Sequence, residues 1–179
     1  MKSEQYAAYA NAVGRQRFAF CFGAFVFAAV ACTLSSCTCD LSRTKKAPER
    51  IARGTKTSVH VPACAKWTPT GVLVRKGDIY AFKSLPPDRW IDLFVRTSAR
   101  GYASLTSIQA RFESNRRVPS APWFALCASI GRRGQAFQIQ LDDRQPIRDD
   151  GELGLFANDA EKAYWNNLGS VNIQIERLR

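Results

Sequence analysis

Asn158-Asp159 is followed, after six residues, by Asn166-Asn167-Leu168-Gly169-Ser170, just before a terminal stretch of alternating polarity. Carboxylate and carboxamide oxygens gathered by one loop suit a hard cation, because calcium draws its ligands from carboxylates, amide side chains, backbone carbonyls and water in a flexible geometry. Asp159 would supply the charge, Asn166 and Asn167 neutral oxygens, and a loop carbonyl near Ala163 a further ligand. A hydroxyl-rich ligand would complete the shell and couple sugar binding to the metal. The same residues also read as turn formers, since Asn-Asp and Asn-Asn-x-Gly cap strands by side-chain to backbone hydrogen bonds. Both readings fit the spacing.

Other chemistries find little support. The sequence holds no Gly-x-Ser-x-Gly, His-Glu-x-x-His or phosphate-cradling glycine loop, and its single histidine, His60, excludes schemes that need two imidazoles. The acidic pairs Asp142-Asp143 and Asp149-Asp150, the latter followed by Gly151-Glu152, read as polar turns between strands. Their carboxylates point apart rather than converging on one bond. The chain therefore reads as a binding protein and not as an enzyme.

The elements that must position the Asp159 loop are strands. Val59 and Val61 alternate with Ser58 and His60. Val72–Val74 and Ile79–Phe82 flank the turn Lys76-Gly77-Asp78. Trp90–Val95, Trp123–Ile130, Phe137–Leu141, Leu153–Ala157 and Val171–Leu178 follow, the last with Val171, Ile173 and Ile175 on one face. Short strands separated by Gly, Pro and Asp turns, with no long helical period, predict an all-β fold, a small β-sandwich over residues 57–179. Residues 97–122 lack a clean period and predict loops with a short helix near Ser104–Arg111. The chain's 179 residues, 46% of them apolar, suffice for one such domain plus an appendage.

The appendage is N-terminal. Arg15 and Arg17 precede an apolar run from Phe18 to Leu34, as in an export signal. A single membrane span is the alternative, near the short limit for crossing a bilayer. Leu34-Ser35-Ser36-Cys37 resembles the lipobox of bacterial lipoproteins, which implies a signal peptide over 1–36 and a lipid on Cys37. Residues 37–56 then form a basic tether, in which Arg43, Lys45, Lys46, Arg50, Arg53 and Lys56 face only Asp40 and Glu49. Against anionic lipid each such cation is worth about 1 kcal/mol. The whole chain carries a formal +11. Export and the lack of a basic motif interleaved with aromatics leave nucleic acid out as a partner. The expected place is the bacterial cell envelope, tied to the membrane through Cys37. In that oxidising setting Cys64 and Cys127 either bridge each other or remain two buried thiols.

Several segments together resemble the calcium-dependent galactose-binding lectin family of LecA (PA-I) type. They are Thr70-Gly71-Val72 with Gly77-Asp78, the run Ala125–Gly131, and Leu153–Asp159 continuing through Tyr164-Trp165-Asn166-Asn167 to Gly169–Ile173. The resemblance spans about residues 65–178. It implies a jelly-roll-like sandwich in which calcium bridges protein and sugar hydroxyls. By position it implies Asp159, Asn166 and Asn167 as side-chain ligands, with Ala163 and Leu93 contributing backbone oxygens. Asp159, Ala160, Asn166 and Trp165 are then the expected carbohydrate contacts. Where the family places a His and a Gln that grip the sugar, this chain has Val118-Pro119-Ser120-Ala121-Pro122, so the resemblance does not carry galactose specificity with it. The alternative, in which the Asp159 loop is only a hydrogen-bonded turn, is a structural or protein-interaction module of an envelope assembly such as a secretion or conjugation apparatus, with envelope proteins as partners.

Overall fold

The computed structural model describes residues 47–179. Cys37, the expected signal and the first part of the expected tether lie outside the described residues. The strands are β1 (Lys56–Pro62), β2 (Thr68–Val74), β3 (Ile79–Asp92), β4 (Val95–Thr97), β5 (Arg100–Tyr102), β6 (Trp123–Ile130), β7 (Ala136–Gln138), β8 (Arg144–Pro146), β9 (Gly151–Ala157) and β10 (Asn167–Arg177). A single helical turn, α1 (Ser107–Ala110), and 3-10 turns at Glu113–Asn115 and Tyr164–Asn166 interrupt the loops. One sheet has the order β1-β10-β3-β4, with β8 also pairing β3. The other has the order β2-β9-β6-β5, with β7 pairing β6. All the strand pairings are antiparallel, and the two sheets form a β-sandwich.

Alternation explains the layers. In β10 Val171, Ile173 and Ile175 are fully buried while the residues between them are less so, the period of a strand with one face on the core. β6 is buried on both faces. Its Phe124, Leu126 and Ala128 join the main core with Tyr80, Phe82, Trp90 and Leu155. Its Ala125 and Cys127 join a smaller cluster with Val118, Ala121 and Phe156 beneath the loops. Each large side chain so buried contributes about 1.5–3 kcal/mol of transfer free energy.

The structure departs from the sequence-based expectation at three places that matter for the site. Ile79–Phe82 and Trp90–Val95 are not separate strands. Ile79–Phe82 and Trp90–Asp92 belong to β3, whose register with β10 shifts where Val171 faces Asp88 and Asn172 faces Leu85, while Leu93 and Phe94 form a turn and Val95 opens β4. Pro86 and Pro87 fall in that gap, as befits residues with no N–H to give a ladder. β10 begins at Asn167 rather than Val171, so one site asparagine opens the strand itself. Third, Cys64 is disulfide-bonded and Cys127 is a free, buried thiol, so the two neither bridge each other nor form a pair of buried thiols. Cys127 sits inside the small cluster under β6, whereas Cys64 lies in the loop after β1.

Part of the basic segment also lies on the sandwich. Glu49 exchanges backbone hydrogen bonds with Gly71 and Leu73 at 2.9 Å each. Arg50 pairs with the buried carboxylate of Asp78, which Arg177 approaches at 3.4 Å. No helix among the described residues is long and apolar enough to cross a membrane.

Candidate cation and ligand site

The ends of three strands meet at one pole of the sandwich. β3 ends at Asp92, directly paired with Asn167 at the start of β10, and β9 delivers Asn158 and Asp159 just past Ala157. Between β3 and β4 the chain reverses through Leu93 and Phe94, with Asp92 opposite Val95. Leu93 has φ +53, a left-handed conformation that a leucine adopts only under constraint.

Asn158 builds the frame. Its fully buried amide accepts a hydrogen bond from Val118 N–H at 3.0 Å and donates to the carbonyls of Val118, Ala121 and Pro122 at 2.9–3.1 Å. The segment Val118–Pro122 is therefore the floor of the loop pole, held by an internal amide. Below the 3-10 turn, Tyr164 donates its hydroxyl proton to Ala157 O at 2.6 Å. The Arg117 guanidinium lies 3.5 Å from the centre of the Phe156 ring. Gly169 allows the close return of β10, since a Cβ there would meet Arg89 O at 2.7 Å and its φ is +79.

On this frame Asp159 is only 2% exposed. Its Oδ1 accepts Ala160 N–H at 2.6 Å and its Oδ2 accepts Asn167 Nδ2–H at 2.9 Å. Asn167 also donates to Ala63 O at 3.2 Å. Burial pushes Asp159 up to about 6, against the lowering effect of those two hydrogen bonds, and the negative charge of Asp92 adds to the rise. Asp92 is itself raised by burial, though Tyr102, which donates its hydroxyl to Asp92 Oδ2, draws it back.

At this pole two acceptor atoms have no partner. Asn166 Oδ1 and Asn167 Oδ1 are both buried without a hydrogen bond. A buried unpaired acceptor costs about 1–3 kcal/mol, and native structures hold few of them. Two on adjacent residues, beside a buried carboxylate that a second carboxylate perturbs, fit a hard cation by their donor chemistry. The Ala163 carbonyl accepts Asn166 N–H at 3.2 Å and keeps a second lone pair. Ala160 engages Asp159 through its backbone, and Trp165 projects outward at 82% exposed.

The structure thus gathers Asp159, Ala160, Ala163, Asn166, Asn167 and the Leu93 turn at one pole. Sequence reasoning missed Asp92 and Tyr102. The available signal was the position of Asp92, a carboxylate ending the strand just before Leu93. Two surface hollows among the described residues lie elsewhere, one beside Arg100 and Gln140, the other of about 350 Å³ between Phe137 and Arg148.

Fold and site together define an all-β sandwich with an oxygen-lined loop pole. No protein-family model matches the chain, and no curated protein matches it. Among solved structures the chain is similar to one described as "EclA N-terminal domain; PllA-like lectin". Identity is 21%, over 67% of this chain and 94% of that chain, with a TM-score of 0.46.

Proposed function

We propose that the chain is a lipid-anchored protein of the bacterial cell envelope whose sandwich binds carbohydrate through calcium. The observation that carries this reading is the pair of buried, unpartnered oxygens, Asn166 Oδ1 and Asn167 Oδ1, beside Asp159. Calcium would be held by Asp159, Asn166, Asn167 and the backbone oxygens of Ala163 and Leu93. When bound, it supplies a positive centre to which neighbouring sugar hydroxyls coordinate. Asp92 adds a second negative charge near the same point, relieving the weakness of a site with a single carboxylate. Asp159 retains lone pairs for a hydroxyl donor, Ala160 holds that carboxylate in place, and the Trp165 ring offers an apolar face to a sugar. The anchor is the lipid on Cys37. The sugar class is left broader than galactose, since Val118–Pro122 presents neither a His nor a Gln.

A second reading rests on the hydrogen bonds that Asp159 already accepts from Ala160 and Asn167. These suit a turn in a structural or protein-interaction module. Thermal melts separate the two, because a metal that binds only the native state raises the melting temperature as its concentration rises. Calcium should stabilise the wild type. Asn166→Ala should lose that shift while melting normally in chelator, since the removed oxygen has no partner to orphan. A glycan array with and without chelator then tests the sugar. Absence of any calcium shift in the wild type refutes the first reading.

A further inference from the structure

Six of the seven large hydrophobic side chains exposed among the described residues crowd the same pole: Leu93, Phe94, Leu105, Phe112, Trp165 and Leu168. Leu93 and Phe94 form the turn after Asp92, and Trp165 and Leu168 flank Asn167, its partner in the ladder. Leu105 and Phe112 ride on the loop that starts at Tyr102. That loop is held by Gln109, which donates to the Tyr102 hydroxyl and accepts from Leu105 N–H, and it ends where Arg116 bridges Ala160. Phe94 is 79% exposed and Trp165 82%. Scattered apolar side chains need no explanation, but their concentration on three neighbouring loop tips does.

Charge narrows what these tips meet. The acidic groups of the pole are engaged: Glu161 by Lys66 and Arg117, Glu113 by Arg116 and Ser104, Asp92 by Tyr102, and Asp159 within the frame. Arg89, Arg96, Arg111 and Lys162 are exposed, and none forms an ion pair among the described residues. The outward field of the pole is therefore positive, which disfavours a second copy of the same face. Protruding aromatic tips ringed by free cations match the interface of an anionic bilayer, where rings settle at headgroup depth and cations meet the negative surface.

We propose that this pole docks on a lipid bilayer bearing anionic headgroups, with Phe94, Phe112 and Trp165 entering the interface. The inference needs neither sugar nor calcium, so it stands or falls apart from the carbohydrate reading. Trp165 provides the readout, since Trp67, Trp90 and Trp123 are all buried and the chain has four tryptophans.

The full chain is mixed, in chelator and without saccharide, with vesicles of equimolar phosphatidylcholine and phosphatidylglycerol, and separately with phosphatidylcholine alone. Because the N-terminal apolar run holds no tryptophan, it can bring the protein to a vesicle without producing the signal. Tryptophan emission should shift to the blue and be quenched by brominated lipid on the anionic vesicles, and both effects should vanish in Trp165→Phe. Phe94→Ser with Phe112→Ser, or Arg96→Glu with Lys162→Glu, should weaken the quenching by about tenfold in vesicle concentration. All four positions are exposed, so these variants are expected to fold. The proposal is overturned if the shift is absent, equal on uncharged vesicles, or indifferent to both pairs of substitutions. It is equally overturned if the shift appears without vesicles as protein concentration rises, which would indicate self-association.

Discussion

Asp159 holds a carboxylate where burial, with the charge of Asp92 adding to it, pushes its pKa from 3.8 to about 6. Without a cation the ionised form therefore weakens the fold. The folded state binds the proton more tightly than the unfolded chain, so this stabilising contribution is fully present below the ordinary carboxylate range and is lost as pH rises through about 6. At about 1.4 kcal/mol per pKa unit the loss is about 3 kcal/mol, near 10 °C in Tm for a domain of roughly this size. Asp78 titrates in the opposite sense: burial raises it, but bonds from Arg50 and Arg75 N–H and the charge of Arg177 outweigh that and leave it lowered. The comparison is thus between the wild type and Asp159→Asn, melted in chelator from about pH 4 to about pH 7.5. Asp78 acts equally in both, so the wild type should lose about 10 °C relative to the variant as pH rises. Calcium should restore the wild type at the upper pH and do little at the lower one, where Asp159 is protonated. Parallel pH profiles for the two proteins, or equal calcium stabilisation at both ends, would refute the reasoning.

Three further outcomes follow from the packing. Asn158→Ala removes a buried amide with four hydrogen bonds to the 118–122 segment and should cost about 3–5 kcal/mol in urea unfolding; a cost under about 1 kcal/mol would mean that the frame is held by something else. Gly154→Ala would place a Cβ at 1.9 Å from Trp67 Nε1, so it should destabilise by about 1–3 kcal/mol and change the near-UV circular dichroism as the ring moves. Cys127, buried and pushed up to about 12, should resist a thiol reagent at about pH 8 until denaturant exposes it, because the thiolate is the attacking species. Labelling of Cys127 itself, located by peptide mapping, at the rate of a free peptide thiol in the native protein would contradict its burial.

What the sequence revealed divides along physical lines. Alternation in Val171–Ile175 and the apolar runs at Trp123–Ile130 and Leu153–Ala157 marked strands and hence the sandwich, because one-sided or two-sided burial leaves a local imprint. The short strands β4, β5 and β8 left none, since three residues on a sheet edge need no apolar pattern. The continuity of β3 was hidden by Pro86 and Pro87, whose local meaning is a break and whose tertiary place is a bulge. Among the site residues, spacing alone flagged Asp159, Asn166 and Asn167, which share one loop. Asp92 and Tyr102 join them only through the β3–β10 and β5–β6 pairings, long-range contacts that no short window contains. The pairing of Cys64 with Cys127 failed for the same reason: strand edges in the sequence did not reveal that Cys127 points into a closed cluster.

The amide of Asn158 fastens the loop pole from within, and the side chains of Phe94, Leu105, Phe112 and Trp165 take no part in that fastening. Frame and fingertips are accordingly separable. Substitutions at the tips can accumulate without loosening the scaffold, as antigen-binding loops diversify on an unchanging immunoglobulin body. The pole therefore suits combinatorial libraries in which new specificities are selected at four positions while the buried asparagine is left untouched.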